Sequence, residues 1–123
     1  MKVQAVNLAA LAAAAGTEAG FTRTVAAYAR LHGWLVSHQR PARAAKGWRT
    51  AILGDAGFPD LVLVRRPDRP GKVRLVVAEL KMPRNRLTEA QSAWLAAFRA
   101  AGVAAGVWYP TDWPEIERVL GGE

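Results

Sequence analysis

The chain has 123 residues, of which 51% are hydrophobic, and its 17 Lys and Arg against 10 Asp and Glu give a net charge of +7. This length and apolar content suit one compact domain with its own core. Because the chain has no cysteine and only two histidines, disulfides, thiolate zinc sites and histidine-rich metal cages are excluded, so any bound metal must use oxygen ligands, which favours Mg²⁺ or Mn²⁺.

The chain begins with an alanine- and leucine-rich run from Leu8 to Ala15 that faintly resembles a signal peptide. Gln4 and Asn7 interrupt the apolar start, which is shorter than the roughly 20 residues that a membrane span needs. We interpret residues 1–16 as an N-terminal arm and residues 17–123 as a single domain, and we expect a cytoplasmic protein without membrane association.

The first predicted elements are a helix and a strand. Thr17 can cap a helix that runs to about Leu31, because apolar and aromatic residues recur at helical spacing and Gly33 provides a stop. A short strand from Trp34 to Ser37 follows.

A basic segment from His38 to Gly57 comes next. It has no clear periodicity, so we predict a long mobile loop, which in a compact domain usually has a function. Together with the net charge, cationic side chains around one tryptophan suit phosphates and stacked bases, whereas the simpler alternative is a solvated surface loop. The candidate nucleic-acid-binding residues of this segment are His38, Arg40, Arg43, Lys46, Trp48 and Arg49. His38 has a second interpretation as an amphipathic strand end.

Two apolar segments are predicted as neighbouring strands. Leu61 to Arg65 is apolar at both parities, and Val73 to Lys81 is similar until its end, which indicates strands covered on both faces. The turn-forming residues 67–71 join these strands as a hairpin.

The last predicted elements are a helix, a strand and a second helix. Thr88 opens the first helix, and Gly102 ends it. Val103 to Tyr109 is the strand, and the closing helix begins near Pro114. The order α-β-β-β-α-β-α predicts an α/β fold with a mixed β-sheet flanked by helices. The inward stripe of the first helix consists of Leu87, Gln91, Trp94, Leu95 and Phe98.

Charged residues stand at the ends of the two apolar strands. Glu79 and Lys81 are two positions apart, so both side chains are expected on one face of the sheet, where core residues usually lie. Asp60 starts the neighbouring strand, and in a hairpin its carboxylate can lie level with Glu79. Two adjacent carboxylates are tolerable with a divalent cation between them and the lysine oriented toward a bound water. The simpler alternatives are an edge ion pair for Glu79 and Lys81 and a turn role for Asp60.

These charged residues belong to a longer pattern. It consists of Gly57-Phe58-Pro59-Asp60-Leu61, Glu79-Leu80-Lys81, Leu87-Thr88-Glu89-Ala90-Gln91 and Val107-Trp108-Tyr109-Pro110. The joined set resembles the VRR-NUC family of the PD-(D/E)xK superfamily, whose compact members are often encoded by phages. The resemblance extends from about Thr17 to Leu120. It implies a restriction-endonuclease-like fold and phosphodiester hydrolysis in a bacterial or phage-infected cell.

The resemblance also implies roles for residues at the strand ends. Asp60, Glu79 and the backbone carbonyl of Leu80 would coordinate Mg²⁺ or Mn²⁺. Lys81 would orient or activate the attacking water, while the cation would polarise the scissile phosphate.

Four further positions have two interpretations each. Gln91 can contact the site, as the family's glutamine does, or serve as the capping-box partner of Thr88. Glu18 can bring an acidic group toward the metal or merely stabilise the first helical turn through the helix dipole. Arg84 and Arg86 can hold the DNA backbone near the metal or only keep a loop soluble.

The leading functional hypothesis is a metal-dependent DNA endonuclease that needs no nucleotide cofactor. A preference for branched DNA such as Holliday junctions comes by analogy with the family, and two symmetric cuts would then require a homodimer. One alternative is a noncatalytic nucleic-acid-binding module that retains the nuclease fold. Another is an RNA-directed or toxin-like nuclease.

Overall fold

The computed structural model describes residues 16–39, 42–44, 47–49, 53–68 and 74–122. The elements in chain order are α1 (Glu18–Leu31), β1 (Trp34–His38), β2 (Ala42–Ala44), β3 (Gly47–Arg49), β4 (Leu61–Arg65), β5 (Leu75–Leu80), α2 (Glu89–Ala100), β6 (Ala104–Trp108) and α3 (Trp113–Gly121). A 3₁₀ turn, Pro110–Asp112, leads into α3.

Four of the strands form a mixed sheet in the order β1-β4-β5-β6. β1, β4 and β5 pair antiparallel, whereas β6 lies parallel to β5. A parallel neighbour requires a crossover connection, and α2 provides it between β5 and β6. The predicted α/β class, with a mixed sheet flanked by helices, is therefore confirmed.

One face of the sheet carries the main core beneath α1 and α3. Side chains alternate between the two faces along a strand, so Leu61 and Leu63 of β4 are buried, whereas Val62 and Val64 are only half-buried. The core consists of Phe21, Val25, Ala29, Trp34, Leu61, Leu63, Val76, Ala78, Leu80, Trp108, Trp113, Ile116 and Leu120.

The C-terminal end of α3 is fixed to the sheet by two side chains. Trp34 Nε1 donates to the carbonyl oxygen of Leu120 at 2.8 Å, and Arg65 Nη1 donates to that of Gly122 at 3.2 Å. The last carbonyls of a helix lack donors within the helix, so these bonds satisfy them and dock α3 on the core.

The other face of the sheet is only partly covered. α2 packs on β5 and β6, where Leu95 is 1% exposed. Leu35 of β1 and Leu75 of β5 align with Val64 on this face and are 48% and 39% exposed. Within the described part of the chain, the surface of this face formed by β1 and β4 is therefore more exposed than the part beneath α2.

The sequence predicted most of these elements. Thr17 caps α1 by accepting from the N–H of Gly20 at 2.9 Å, and β4 spans the predicted Leu61–Arg65. The hairpin of β4 and β5 and the closing helix are also confirmed. β1 extends one residue beyond the prediction to His38, and β6 begins and ends one residue inside its predicted bounds.

The prediction of a loop from His38 to Gly57 is wrong in part. Within this segment β2 and β3 form a short antiparallel pair, which adds two strands to the predicted order. Each has three residues, too few to give the alternation by which a sequence indicates a strand. Residues 40, 41, 45, 46 and 50–52 lie outside the described residues.

The arm predicted for residues 1–16 lies outside the described residues except for Gly16. The extent of the domain, residues 17–123, stays a prediction. Within the described ranges, no helix has the length and apolar character to span a bilayer.

Ile116→Ala tests the packing of α3 on the sheet. Ile116 is 0% exposed, so its truncation leaves a cavity and is expected to lower the free energy of unfolding by about 2–5 kcal/mol. Leu31→Ala is the control, because Leu31 is 73% exposed and its change should stay within about 0.5 kcal/mol. Urea denaturation measures both variants, and equal losses would contradict the position of the core.

Candidate active site

Asp60 and Glu79 meet at the adjoining ends of β4 and β5. The register pairs Leu61 with Ala78, so the next position along the ladder sets Asp60 beside Glu79. Asp60 N donates to Glu79 Oε1 at 3.2 Å, and Leu80 N donates to Asp60 Oδ2 at 2.9 Å. The fold thus brings together two acidic residues that lie far apart in the chain.

A close contact with α2 fixes the segment that precedes Asp60. Gly57 has a φ of +95°, and a Cβ at this position would lie 2.5 Å from the backbone carbon of Ala90. Glycine is required here because it tolerates both this φ and this approach. Pro59 is fully buried, and Gln39 N donates to the carbonyl oxygen of Asp60 at 2.7 Å, which ties Asp60 to the end of β1.

Gln91 connects the start of α2 with Glu79. Its backbone N–H donates to Thr88 Oγ1 at 3.1 Å, and its Oε1 accepts from Thr88 N at 2.9 Å, so the two residues form a capping box. Its Nε2 donates to Glu79 Oε2 at 2.9 Å. Gln91 therefore has both of the contacts considered from the sequence: it completes the capping box with Thr88, and it contacts Glu79. The capping box holds the amide oxygen, so the amide NH₂ faces the carboxylate.

Lys81 adds a positive charge to this buried cluster. Its Nζ lies 3.9 Å from Glu79 Oε2, and only 11% of the Lys81 side chain and 3% of the Glu79 side chain are exposed. The backbone N–H of Lys81 donates to the carbonyl oxygen of Trp108 at 3.0 Å, so β6 holds the lysine at the strand ends. The ammonium therefore offsets part of the negative charge of the carboxylate pair.

Burial dominates the electrostatics of Glu79. Its pKa is raised from 4.5 to about 8, first by loss of hydration and next by the Asp60 carboxylate, whereas the Lys81 ammonium lowers it. One ammonium does not offset both burial and a second carboxylate, so the folded protein favours a proton on Glu79 near neutral pH. A divalent cation would replace that proton, because positive charge beside the pair stabilises both ionised carboxylates.

The residues of this cluster lie within the match to a known sequence family. The VRR-NUC domain family matches residues 28–111, which include Asp60, Glu79, Lys81 and Gln91. The chain belongs to the VRR-NUC family. Membership indicates a nuclease that acts on DNA, and the mixed sheet flanked by helices agrees with a restriction-endonuclease-like fold. Neither a curated protein nor a solved structure matches the chain significantly.

Glu18 precedes the range that matches the VRR-NUC family, but the charges of Asp60 and Lys81 also act on its pKa. It is the first residue of α1, and its pKa is raised by partial burial and then by the Asp60 carboxylate, while Lys81 lowers it. The N-terminus of α1 therefore lies near the strand ends that carry the carboxylates. A role for Glu18 as a metal ligand stays a prediction.

The predicted nucleic-acid-binding residues are spread over several elements. Arg84 and Arg86 are exposed in the loop between β5 and α2, which Tyr109 anchors by donating its hydroxyl to the carbonyl oxygen of Asn85 at 3.1 Å. His38 is exposed at the end of β1. Contacts of these three residues with DNA stay predictions.

The remaining candidates belong to the segment that contains the short strand pair. Arg43 lies in β2, and Trp48 and Arg49 lie in β3, where only the backbone is described. Arg40 and Lys46 lie outside the described residues. In register, Arg43 pairs with Trp48, and Ala42 pairs with Arg49.

The donor atoms of this VRR-NUC site suit Mg²⁺ or Mn²⁺. In the part of the chain that the structure describes, no cluster of three or more His, Cys, Asp or Glu side chains could hold a metal. Proteins commonly bind Mg²⁺ through one or two carboxylates, while water and substrate phosphate fill the other positions. Asp60 and Glu79 meet that requirement, and Leu80, whose carbonyl is a predicted ligand, donates its N–H to Asp60.

The contacts between α2 and the segment before Asp60 were not predicted from the sequence. Trp94 Nε1 donates to the carbonyl oxygen of Ala56 at 3.0 Å, and the Trp94 and Phe58 rings meet edge to face at a centroid distance of 5.1 Å. The sequence indicates only an apolar helical stripe at Trp94. A contact with a residue in a distant segment leaves no periodic signal, although glycine at position 57 is a hint of close approach.

Glu79 makes the stability of the metal-free protein depend on pH. Its pKa is higher in the folded than in the unfolded chain, so the folded protein binds more protons between about pH 4.5 and pH 8. The free energy of unfolding therefore falls as the pH rises through this window. In EDTA, the thermal midpoint of wild type should fall more steeply than that of Glu79→Gln, which has no titrating group at this position. Glu89→Gln, in the exposed first turn of α2, is the control and should keep the wild-type slope.

Gly57→Ala is expected to displace Asp60. The added Cβ meets Ala90, and the φ of +95° is unfavourable for alanine, so the thermal midpoint should fall and nuclease activity should drop roughly 10²-fold. Gly102→Ala is the matched control, since Gly102 has a φ of +86° but a Cβ there meets nothing within 4 Å. It should lose some stability and keep its activity; an equal loss of activity in both variants would contradict the role of the contact.

Proposed function

We propose that this chain is a Mg²⁺- or Mn²⁺-dependent DNA endonuclease that hydrolyses phosphodiester bonds. The proposal is carried by the two hydrogen bonds that join the strand ends at Asp60 and Glu79, with Lys81 Nζ 3.9 Å from Glu79. Burying one carboxylate beside another lowers the free energy of unfolding, and the packing around the pair does not offset this loss. Membership in a nuclease family supports a catalytic reason for this cost.

The oxygen atoms of Asp60 and Glu79 would hold the cation. The backbone carbonyl of Leu80 is proposed as a further ligand. The carboxylate of Glu18, which does not group with this pair in the structure, would have to move toward the cation to become one. When bound, the cation supplies Lewis-acid polarisation of the scissile phosphate and lowers the pKa of the attacking water.

The protein side chains orient the reactants. Lys81 orients the water whose oxygen forms a bond to phosphorus while the bond from phosphorus to the leaving oxygen breaks. The water releases a proton to solvent, and the leaving oxygen takes one from solvent. The Lys81 ammonium also offsets the negative charge that develops on the phosphoryl oxygens. Gln91 donates to Glu79 Oε2 at 2.9 Å, so it keeps this carboxylate turned toward the strand ends. Because it acts through Glu79, Gln91 is a positioning residue.

Basic residues would contact the DNA phosphates on either side of the cut. Such contacts hold DNA without reading its shape, so the preference for Holliday junctions or other branched DNA rests on analogy with the family. Resolution of a junction needs two symmetric cuts, for which a homodimer is the simplest arrangement. The proposed nucleic-acid-binding residues are His38, Arg40, Arg43, Lys46, Trp48, Arg49, Arg84 and Arg86.

Cleavage assays with Lys81→Ala test the proposal. Wild type and the variant are incubated with branched, flapped, linear duplex and single-stranded DNA, and with single-stranded RNA, in Mg²⁺, Mn²⁺ or EDTA. We expect metal-dependent cleavage of DNA that falls roughly 10²- to 10³-fold in Lys81→Ala, while DNA binding is retained. Cleavage of RNA alone would support the RNA-directed alternative instead.

Arg66→Ala is the matched control, because it removes one positive charge beyond the end of β4 opposite Asp60. It should cleave DNA at the wild-type rate. Equal cleavage by wild type and Lys81→Ala would remove Lys81 from the mechanism. DNA binding without cleavage of any substrate would favour a noncatalytic nucleic-acid-binding module.

A further inference from the structure

A hollow of about 450 Å³ lies between the segment before Asp60 and the middle of α2. Its volume is within the range of small-ligand pockets, about 300–1,000 Å³. Trp94 also borders a neighbouring hollow of about 490 Å³, so part of its ring faces open space. The described residues that line the first hollow are Gln39, Leu53, Gly54, Asp55, Phe58 and Trp94.

The two aromatic rings of this hollow are held in place. Trp94 Nε1 is bound to the carbonyl oxygen of Ala56 at 3.0 Å, and the Phe58 ring stands nearly perpendicular to the Trp94 ring, at 77°. Phe98 packs against both, with ring centroids 6.0 Å from Phe58 and 5.8 Å from Trp94, although it does not line the hollow. A platform ordered in advance loses little side-chain entropy when a planar ligand stacks on it.

The chemistry of the lining favours a nucleobase over a phosphate. No Lys or Arg is among the described residues of the hollow, and the carboxylate of Asp55 would repel a phosphate. Aromatic faces stack on every base because each base has a π-face. The Gln39 amide and the Asp55 carboxylate, both exposed, can form hydrogen bonds with groups at a base edge.

Short connections link the hollow to the carboxylate pair. Phe58 stands two residues before Asp60, and the backbone N–H of Gln39 donates to the carbonyl oxygen of Asp60 at 2.7 Å. Trp94 lies one turn of α2 after Gln91, the residue that donates to Glu79. A strand whose phosphate sits at the carboxylates therefore carries a nearby base within reach of the hollow.

We propose that this hollow is a nucleobase subsite, in which the exposed part of the Trp94 ring stacks on an unpaired base close to the cut and Phe58 supports the Trp94 ring from the side. The inference rests on the proposed nuclease function and adds its substrate class, which is DNA with an unpaired strand beside the cleaved bond. A base within a duplex is already stacked and paired, so it would have to leave the helix before it could enter.

A scan with 2-aminopurine tests the subsite without a change in α2. The fluorescent base is moved through the unpaired strand of a forked DNA, and its emission is measured with Lys81→Ala protein, which is expected to bind DNA while cutting it only slowly. We expect quenching by stacking at one position near the cut and its loss when Trp94→Leu is added. An abasic site at that position should weaken DNA binding by Lys81→Ala about tenfold and leave binding by the double variant unchanged.

Phe98→Leu, added to Lys81→Ala, is the matched control, because Phe98 belongs to the same aromatic cluster without lining the hollow. It should keep the quenching, because the hydrogen bond from Trp94 to the carbonyl oxygen of Ala56 still holds the stacking ring. The scan and the abasic substitution on protein with native Trp94 stand even if Trp94→Leu does not fold. Cleavage of DNA by wild type without position-specific quenching would overturn the subsite alone. Absence of DNA binding by wild type and Lys81→Ala would overturn both the subsite and the nuclease proposal.

Discussion

A buried carboxylate beside a second carboxylate is the interaction on which the rest of this structure depends. Glu79 is 2% exposed and lies against Asp60, so its ionised form is disfavoured both by lost hydration and by like charge. Three donors and one charge partly compensate: the backbone N–H of Asp60 and the amide of Gln91 donate to Glu79, the N–H of Leu80 donates to Asp60, and the Lys81 ammonium forms an ion pair with Glu79. Because these groups come from the strand ends and from α2, the hairpin brings the pair together and α2 adds to its stabilisation.

One face of the sheet provides the packing that stabilises the fold, and the other carries the candidate active site. The face beneath α1 and α3 carries the apolar core, and it needs no polar group of the site. Among the described residues, the opposite face is covered mainly by α2 over β5 and β6, and the part beside it is more exposed. The crossover that makes β6 parallel to β5 also carries Gln91 to Glu79 and Trp94 to the segment before Asp60. A single helix therefore holds the carboxylates and one wall of the neighbouring hollow.

The sequence predicted the helices and strands whose formation depends on neighbouring residues in the chain. Helical spacing and capping residues indicated α1 and α2, and two continuous apolar runs with a turn between them identified the β4–β5 hairpin. From that hairpin the proximity of residues 60 and 79 could be expected. The strand pair at Ala42–Ala44 and Gly47–Arg49 could not, because three residues give no periodicity. Neither could the contact of Gly57 with Ala90 or of Trp94 with Ala56, since each joins segments whose approach only the tertiary structure determines.

A crystal structure of the protein with Mn²⁺ is the most direct measurement of the central claim, because anomalous scattering locates the ion independently of any activity. We expect one anomalous peak bounded by the carboxylate oxygens of Asp60 and Glu79, which Asp60→Asn abolishes while the core beneath α1 and α3 stays unchanged. An ion ordered elsewhere in a protein that cleaves DNA, with residues 60 and 79 still joined to each other as in the metal-free chain, would contradict it.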